Sequence, residues 1–154
     1  MRLRLLFVLV GVVAIVLLAH DVPLASHLER VERDRLATKL ERDAFILAGR
    51  VEEALEDGTA ADDPAIEALV ARYSATEDLR VVVVDPDAVG VAGSESERSV
   101  GEDFSNRPEF TTALEGQPTT GERQSVTLGE ELFYVAVPVL SGDDVVGAVR
   151  ISAP

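Results

Sequence analysis

The chain has 154 residues, a length that suits one membrane segment followed by one domain with a modest core. With 28 acidic against 14 basic residues it carries a formal net charge of −14, which argues against nucleic acid as a partner, because a phosphate backbone attracts Lys/Arg-rich surfaces. The sequence contains no cysteine, and this excludes disulfides, thiolate metal sites and a cysteine nucleophile.

The N-terminal segment places Arg2 and Arg4 ahead of an unbroken apolar run over residues 5–19. A spanning helix needs roughly 20 apolar residues and the core of a signal peptide about 7–15, so the run lies between the two. No cleavage site offers small residues at both required positions, which favours an uncleaved anchor over a cleaved signal peptide or a buried core helix. We therefore expect residues 1–22 to form a cytoplasmic tip and a transmembrane signal anchor, with residues 23–154 as an extracytoplasmic domain.

A long amphipathic helix is predicted over residues 24–57, ending at Gly58. Its apolar residues recur at the three- and four-residue steps of one helical face: Leu36, Leu40, Ala44, Leu47, Val51 and Leu55. The C-terminal half is expected to pack on the protein's own sheet. Residues 28–40 are expected to pair with a second chain, which would give a homodimer through the N-terminal helix.

A shorter helix is predicted next, within residues 59–75. Asp62 or Asp63 can cap it, and Pro64 suits its first turn. The buried stripe of this helix is expected to consist of Ile66, Leu69, Val70 and Tyr73.

From residue 79 the pattern changes to that of a β-sheet, with β-branched runs separated by turn residues. Five strands are predicted, over residues 81–84, 89–91, 120–127, 132–139 and 145–152. The last three are joined by short glycine-containing turns at residues 128–130 and 141–143, so neighbouring strands must be antiparallel. The sheet and loops over residues 79–152 therefore predict an α+β fold, a five-stranded antiparallel sheet with the long helix on one face.

The segment GEDFSNRPEFTTALEG crosses between the second and third strands and predicts a small capped helix. Asn106 is expected to cap it, Arg107 and Pro108 to occupy its first positions, and Glu109 to reach back as in a capping box. An arginine at the positive end of a helix opposes the helix dipole. Arg107 is therefore expected to meet a carboxylate, either of this acidic protein or of a ligand.

The residues VDPDAVGVAGS, VGEDFSNRPEFTTALEGQ and LFYVAVPVLSGDDVVGAVRIS together resemble the extracytoplasmic PAS-like sensor domains of bacterial two-component sensor histidine kinases. These are the single-Cache (PDC) domains, and the citrate and C4-dicarboxylate sensors are members. The resemblance covers the chain from about residue 25 onward. It implies the non-enzymatic front end of a longer receptor, in which a second membrane helix and a kinase core follow the last strand. Ligand binding would be transmitted by helix displacement.

The resemblance also implies a ligand pocket between the sheet and the loop around the small helix. The family's ligand-facing positions fall on Arg107, Thr111, Thr112, Arg123 and Tyr134. Only Arg107 and Arg123 are expected to supply positive charge, and neither histidine lies in the sheet. An organic acid, an uncharged ligand or no ligand are therefore all open, and neither a metal nor a cofactor is expected.

The sequence offers residues for two other function classes. Four acidic pairs could hold a divalent cation through oxygen ligands, although turn chemistry and solubility also explain them: Asp85/Asp87, Glu95/Glu97, Glu130/Glu131 and Asp143/Asp144. The alternative function is therefore a non-enzymatic exported interaction module that reads a partner protein, an envelope lipid or divalent cations. An exported enzyme lacks a catalytic constellation, because both histidines lie near the predicted anchor.

Overall fold

The structure, a computed structural model, describes residues 2–77, 79–94, 99–124 and 131–153. Its elements in chain order are helix α1 (Arg2–Glu56), a 3-10 turn (Ala60–Asp62), helix α2 (Pro64–Glu77), strands β1 (Arg80–Val84) and β2 (Gly90–Gly93), helix α3 (Pro108–Leu114), and strands β3 (Thr119–Gln124), β4 (Glu131–Ser141) and β5 (Asp144–Ala153). The chain divides into two compact units, Met1–Leu36 and Ala37–Pro154, and the second contains the whole sheet.

The five strands form one sheet in the order β2-β1-β5-β4-β3, and each neighbouring pair is antiparallel. The predicted α+β fold with a five-stranded antiparallel sheet is confirmed. A tight turn joins β4 to β5, and Gly142 adopts φ +62°, a left-handed conformation that favours glycine. The turn predicted at residues 128–130 lies outside the described residues.

Helix α1 is continuous from Arg2 to Glu56, so the helix predicted over residues 24–57 begins earlier than expected. In the described part of the chain, no helix combines the length and the apolar character that crossing a membrane requires. The anchor over residues 1–22, the domain boundary that follows it and the homodimer stay predictions.

In the second unit, α1 buries five of the six residues of the predicted apolar face: Leu40, Ala44, Leu47, Val51 and Leu55. The sixth, Leu36, is half-buried at the end of the first unit. Leu55 lies against the sheet, since a Cβ added at Gly147 of β5 would be 2.9 Å from the Leu55 Cδ1. The helix ends where predicted. Gly58 takes a left-handed conformation, φ +67°, and the Thr59 N–H donates to the Ala54 carbonyl at 2.8 Å.

Helix α2 begins as the sequence predicts. The Asp63 Oδ1 accepts a hydrogen bond from the Ala65 N–H at 2.8 Å, and Pro64 opens the helix. Ile66 and Val70 are buried, and the other two residues of the predicted stripe are half-buried. The helix contacts β1 and β2, so it supports the β2 edge of the sheet.

The start of α3 differs from the prediction. The N-cap is Arg107, whose backbone is extended at φ −101° and ψ 113° and whose side chain makes no capping hydrogen bond. The cause is Pro108, because the residue before a proline is driven out of the helical region. Asn106 is therefore not the cap. Glu109 stands at the second helical position instead of the third that a capping box requires, and its carboxylate has other partners.

Candidate functional site

The two faces of the sheet are covered by different helices. Side chains alternate along each strand, so cross-strand partners such as Val82, Arg150 and Ala136 share one face. On this face, which we call the α3 face, Phe110 of α3 packs in a buried cluster with small and β-branched strand residues. Helix α1 lies on the opposite face, through Leu55 against Gly147.

A buried ion pair joins α3 to the centre of the sheet. The Arg150 Nη1 donates to the Glu109 Oε1 at 2.9 Å, and the two side chains are 0% and 3% exposed. The Arg150 guanidinium carbon also lies 5.2 Å from the centroid of the Phe110 ring, within cation–π range. Arg150 is therefore held inside the domain by a carboxylate and an aromatic ring of the same short helix.

A second arginine approaches the same carboxylate. The Arg123 Nη1 of β3 lies 3.8 Å from the Glu109 Oε1, and its side chain is 20% exposed. The Glu109 carboxylate thus lies between two guanidinium groups that are carried by different strands. One buried carboxylate ties α3 to both β3 and β5.

Tyr134 of β4 completes this polar cluster. Its cross-strand partner is Gly121, and a Cβ added there would overlap the Tyr134 hydroxyl, so the glycine makes room for the phenol. Burial raises the pKa of the Tyr134 phenol and the negative charge of Glu109 raises it further, while Arg123 and Arg150 oppose the shift. The phenol therefore experiences the field of all three charged groups.

A buried hydroxyl with open hydrogen-bonding capacity lies in the same row of the sheet. Ser152 pairs with Tyr134 across the strands and is fully buried. Within the described residues, its Oγ has no hydrogen-bond partner. Buried hydroxyls are nearly always satisfied, so this one points to a water or a ligand group in the cluster.

The structure brings together two of the five residues predicted to face a ligand. Arg123 and Tyr134 belong to the cluster, whereas Arg107 and Thr111 are exposed and Thr112 is half-buried. The Thr111 Oγ1 donates to the Arg107 carbonyl at 3.3 Å. Among the described residues Arg107 forms no ion pair, so the protein carboxylate expected beside it is not found there. Ligand contact by these five residues stays a prediction.

Sequence reasoning missed Arg150, Glu109 and Ser152. The expectation that only Arg107 and Arg123 bring positive charge to this region is wrong, because Arg150 lies at its centre. A signal was present in the run VVGAVRISA, where one arginine interrupts an apolar strand. A buried arginine requires a partner, and the sequence does not say which carboxylate supplies it.

Two other features were compared with this cluster. In the part of the chain that the structure describes, no three acidic or histidine side chains are grouped to hold a metal. Asp85 instead accepts the N–H groups of Asp87 and Val89, both at 2.9 Å, which is turn chemistry. A cavity of about 780 Å³ lies between the start of α2 and β2, lined by small residues and two carboxylates, and it contains none of the basic groups.

Comparison with solved structures identifies the fold, whereas no protein-family model and no curated protein matches the sequence. The E. coli DcuS sensor domain is 22% identical, with a TM-score of 0.65 over 78% of this chain and 89% of that domain. The sensor domain of the V. cholerae histidine kinase DctB is 18% identical (TM-score 0.58), covering 86% of this chain and 56% of that one. The ligand-binding domain of the Campylobacter jejuni chemoreceptor Tlp3, in complex with L-valine, is 11% identical (TM-score 0.64), covering 80% and 54%.

This chain spans most of the DcuS domain and just over half of the DctB and Tlp3 chains. All three are sensor or ligand-binding domains. The chain therefore has the fold of the PDC/Cache-like sensor domains, as the motifs of its sequence predicted.

Proposed function

We propose that this chain is the extracytoplasmic signal-sensing domain of a membrane receptor and that it binds a small ligand on the α3 face of its sheet. The observation that carries the proposal is the buried polar cluster under α3, in which two arginines, a carboxylate, a phenol and an unsatisfied hydroxyl converge. A few convergent polar groups, one of them with a perturbed pKa, are typical of a binding site. The fold likeness to sensor domains supports the same function.

The ligand that suits this cluster carries a carboxylate and at least one further hydrogen-bonding group. Guanidinium groups match carboxylates in geometry and charge, and the hydroxyls of Tyr134 and Ser152 can donate or accept. Domains of Tlp3 were solved with L-valine and with isoleucine, so amino acids and small organic acids are the first compounds to test. Arg107, Thr111 and Thr112 would border such a ligand from the α3 side.

We further propose that the receptor is a two-component sensor histidine kinase and that ligand binding displaces α1. Strand β5 carries Arg150 and Ser152 on one face and contacts Leu55 of α1 at Gly147, so one strand links the cluster to the helix. Shifting two signalling states from 1:99 to 99:1 requires roughly 5.5 kcal/mol of differential binding. In this proposal residues 1–22 anchor the chain in the membrane, and the N-terminal helix pairs in a homodimer.

Thermal-shift measurements and calorimetric titration of the full chain in detergent micelles test the binding proposal. The ligand panel contains amino acids, mono- and dicarboxylates and neutral sugars. At least one carboxylate compound should raise the melting temperature, and Arg123→Gln should abolish the effect. Arg72→Gln removes the same positive charge from an exposed position on α2, and this variant should retain the effect. Unchanged melting with every compound, or equal responses of the two variants, would contradict binding at this cluster.

The receptor class is tested by the coding sequence that follows codon 154. A second apolar stretch and then a kinase core would support the histidine-kinase proposal. A receptor with a different output domain would retain the sensing function and overturn the kinase assignment.

A further inference from the structure

We infer that Arg123 and Arg150 form a carboxylate-binding site that the protein's own Glu109 occupies. A ligand carboxylate would enter this site by displacing Glu109, and the displacement would release α3 from β5. This inference rests on the proposed ligand site and adds how that site is occupied and opened.

Both arginines approach the same oxygen of the Glu109 carboxylate. The Glu109 Oε1 lies 2.9 Å from the Arg150 Nη1 and 3.8 Å from the Arg123 Nη1. Guanidinium groups on two strands thus converge on one oxygen of a side chain that belongs to a third element. Arginines also hold the carboxylates of bound molecules through charge-assisted contacts of this kind.

The contacts of Glu109 with the two arginines differ in strength. The contact with Arg150 is a buried hydrogen bond at 2.9 Å, whereas the contact with Arg123 is longer, at 3.8 Å, and the Arg123 side chain is 20% exposed. An incoming carboxylate therefore meets Arg123 first. Once it lies beside Glu109, the two like charges repel each other, and a ligand that binds the two arginines more tightly than the tethered side chain does displaces Glu109.

Glu109, which occupies the site, is carried by a short helix. Glu109 belongs to the seven-residue helix α3, of which only Glu109, Phe110 and Ala113 are buried. Beyond Gly116, at φ +83°, the chain enters β3. Loss of the Glu109–Arg150 bond therefore removes a buried polar attachment of α3 to β5, while Phe110 and Ala113 remain as buried apolar residues of the helix.

Glu109→Ala in the full chain tests the inference, with sodium acetate as the probe and sodium chloride at equal ionic strength as its control. The substitution removes the carboxylate that occupies the binding site, so the variant should melt at a lower temperature than the wild type. Acetate should restore part of this loss in melting temperature. Acetate at about five times its dissociation constant should raise the melting temperature by about 4 °C. The wild type should respond by less than 1 °C, because Glu109 occupies the site.

Glu115→Ala provides the matched control, since it removes an exposed carboxylate at the other end of α3. If Glu109→Ala does not fold in chloride, its refolding yield in acetate against chloride gives the same readout. Glu109→Gln, which retains the side-chain volume, should respond to acetate more weakly than Glu109→Ala because the amide fills the space.

The outcomes separate this inference from the proposed function. The inference is supported if Glu109→Ala is destabilised and acetate, but not chloride, restores its melting temperature. This result would support a binding site occupied by Glu109, whatever the ligand panel shows for the wild type. Three results overturn it: a destabilised variant that acetate leaves unchanged, a variant as stable as the wild type, or equal responses in Glu115→Ala. In these cases Glu109 has a structural role only, and a panel compound that binds the wild type would still support sensing.

Discussion

The buried pair of Glu109 and Arg150 predicts a strongly coupled pair of mutations. Arg150→Met leaves the carboxylate buried with the longer contact to Arg123 as its described ion pair. Breaking a buried pair costs about 3–5 kcal/mol, and because Arg123 recovers part of this, we expect a loss of about 2–4 kcal/mol of unfolding free energy. Glu109→Leu should cost a similar amount because it leaves the fully buried Arg150 without this carboxylate.

The double variant Glu109→Leu/Arg150→Met should lie within about 1 kcal/mol of the wild type, since apolar residues of similar volume often replace a buried pair without loss. The coupling energy would then be at least about 3 kcal/mol, which is the upper end of the range for residues in contact. Urea unfolding followed by far-UV circular dichroism measures it, provided that the m-value is unchanged. The exposed substitutions Glu115→Leu and Arg72→Met serve as controls and should stay within about 0.5 kcal/mol. Single costs below about 1 kcal/mol, or costs that add in the double variant, would refute the reasoning.

Three further predictions use the same urea assay. Gly121→Ala places a methyl group where the Tyr134 hydroxyl lies, so we expect a loss of about 1–3 kcal/mol, and an unchanged midpoint would contradict this packing. Gly49→Ala, with no atom within 4 Å of the added Cβ on the exposed side of α1, should gain up to about 1 kcal/mol, whereas a loss would argue against a helix there. The pKa of Tyr134 is raised above 10 in the folded state, so the unfolded chain loses this proton first and the unfolding free energy falls as the pH rises past 10. Tyr134→Phe should flatten this dependence between pH 9 and pH 11, and equal slopes in both proteins would contradict the shift.

Much of the fold could be predicted because its signals are local. Gly58 ends α1 through the backbone conformation that only glycine adopts readily, and the short glycine turn between β4 and β5 fixes their antiparallel pairing. The start of α3 was predicted wrongly although its signal is also local. Asparagine favours the cap position, but Pro108 restricts Arg107 to extended backbone, and this restriction places the cap at Arg107.

The centre of the site could not be predicted because its partners are distant in sequence. Glu109 and Arg150 are 41 residues apart, and each has a plausible local explanation, one as a capping residue and the other as a strand residue. The two-residue period of β5 places Arg150 on one face with Ser152, but it does not say which helix covers that face. Only the packing of α3 on the sheet brings the carboxylate to the guanidinium.

We propose that the charges under α3 serve recognition and not stability. An apolar set of the same volume would hold α3 on the sheet as well as Glu109 and Arg150 do, which is what the double variant measures. A chain with a net charge of −14 also repels an anionic ligand at long range, so binding such a ligand requires positive charge concentrated at the site. In the proposed site, Arg123 on β3 and Arg150 on β5 would supply it, and the tethered Glu109 carboxylate would keep Arg150 paired until a ligand arrives. The unfolding free energy of the double variant and the acetate response of Glu109→Ala are therefore two independent measurements of the same arrangement of charges.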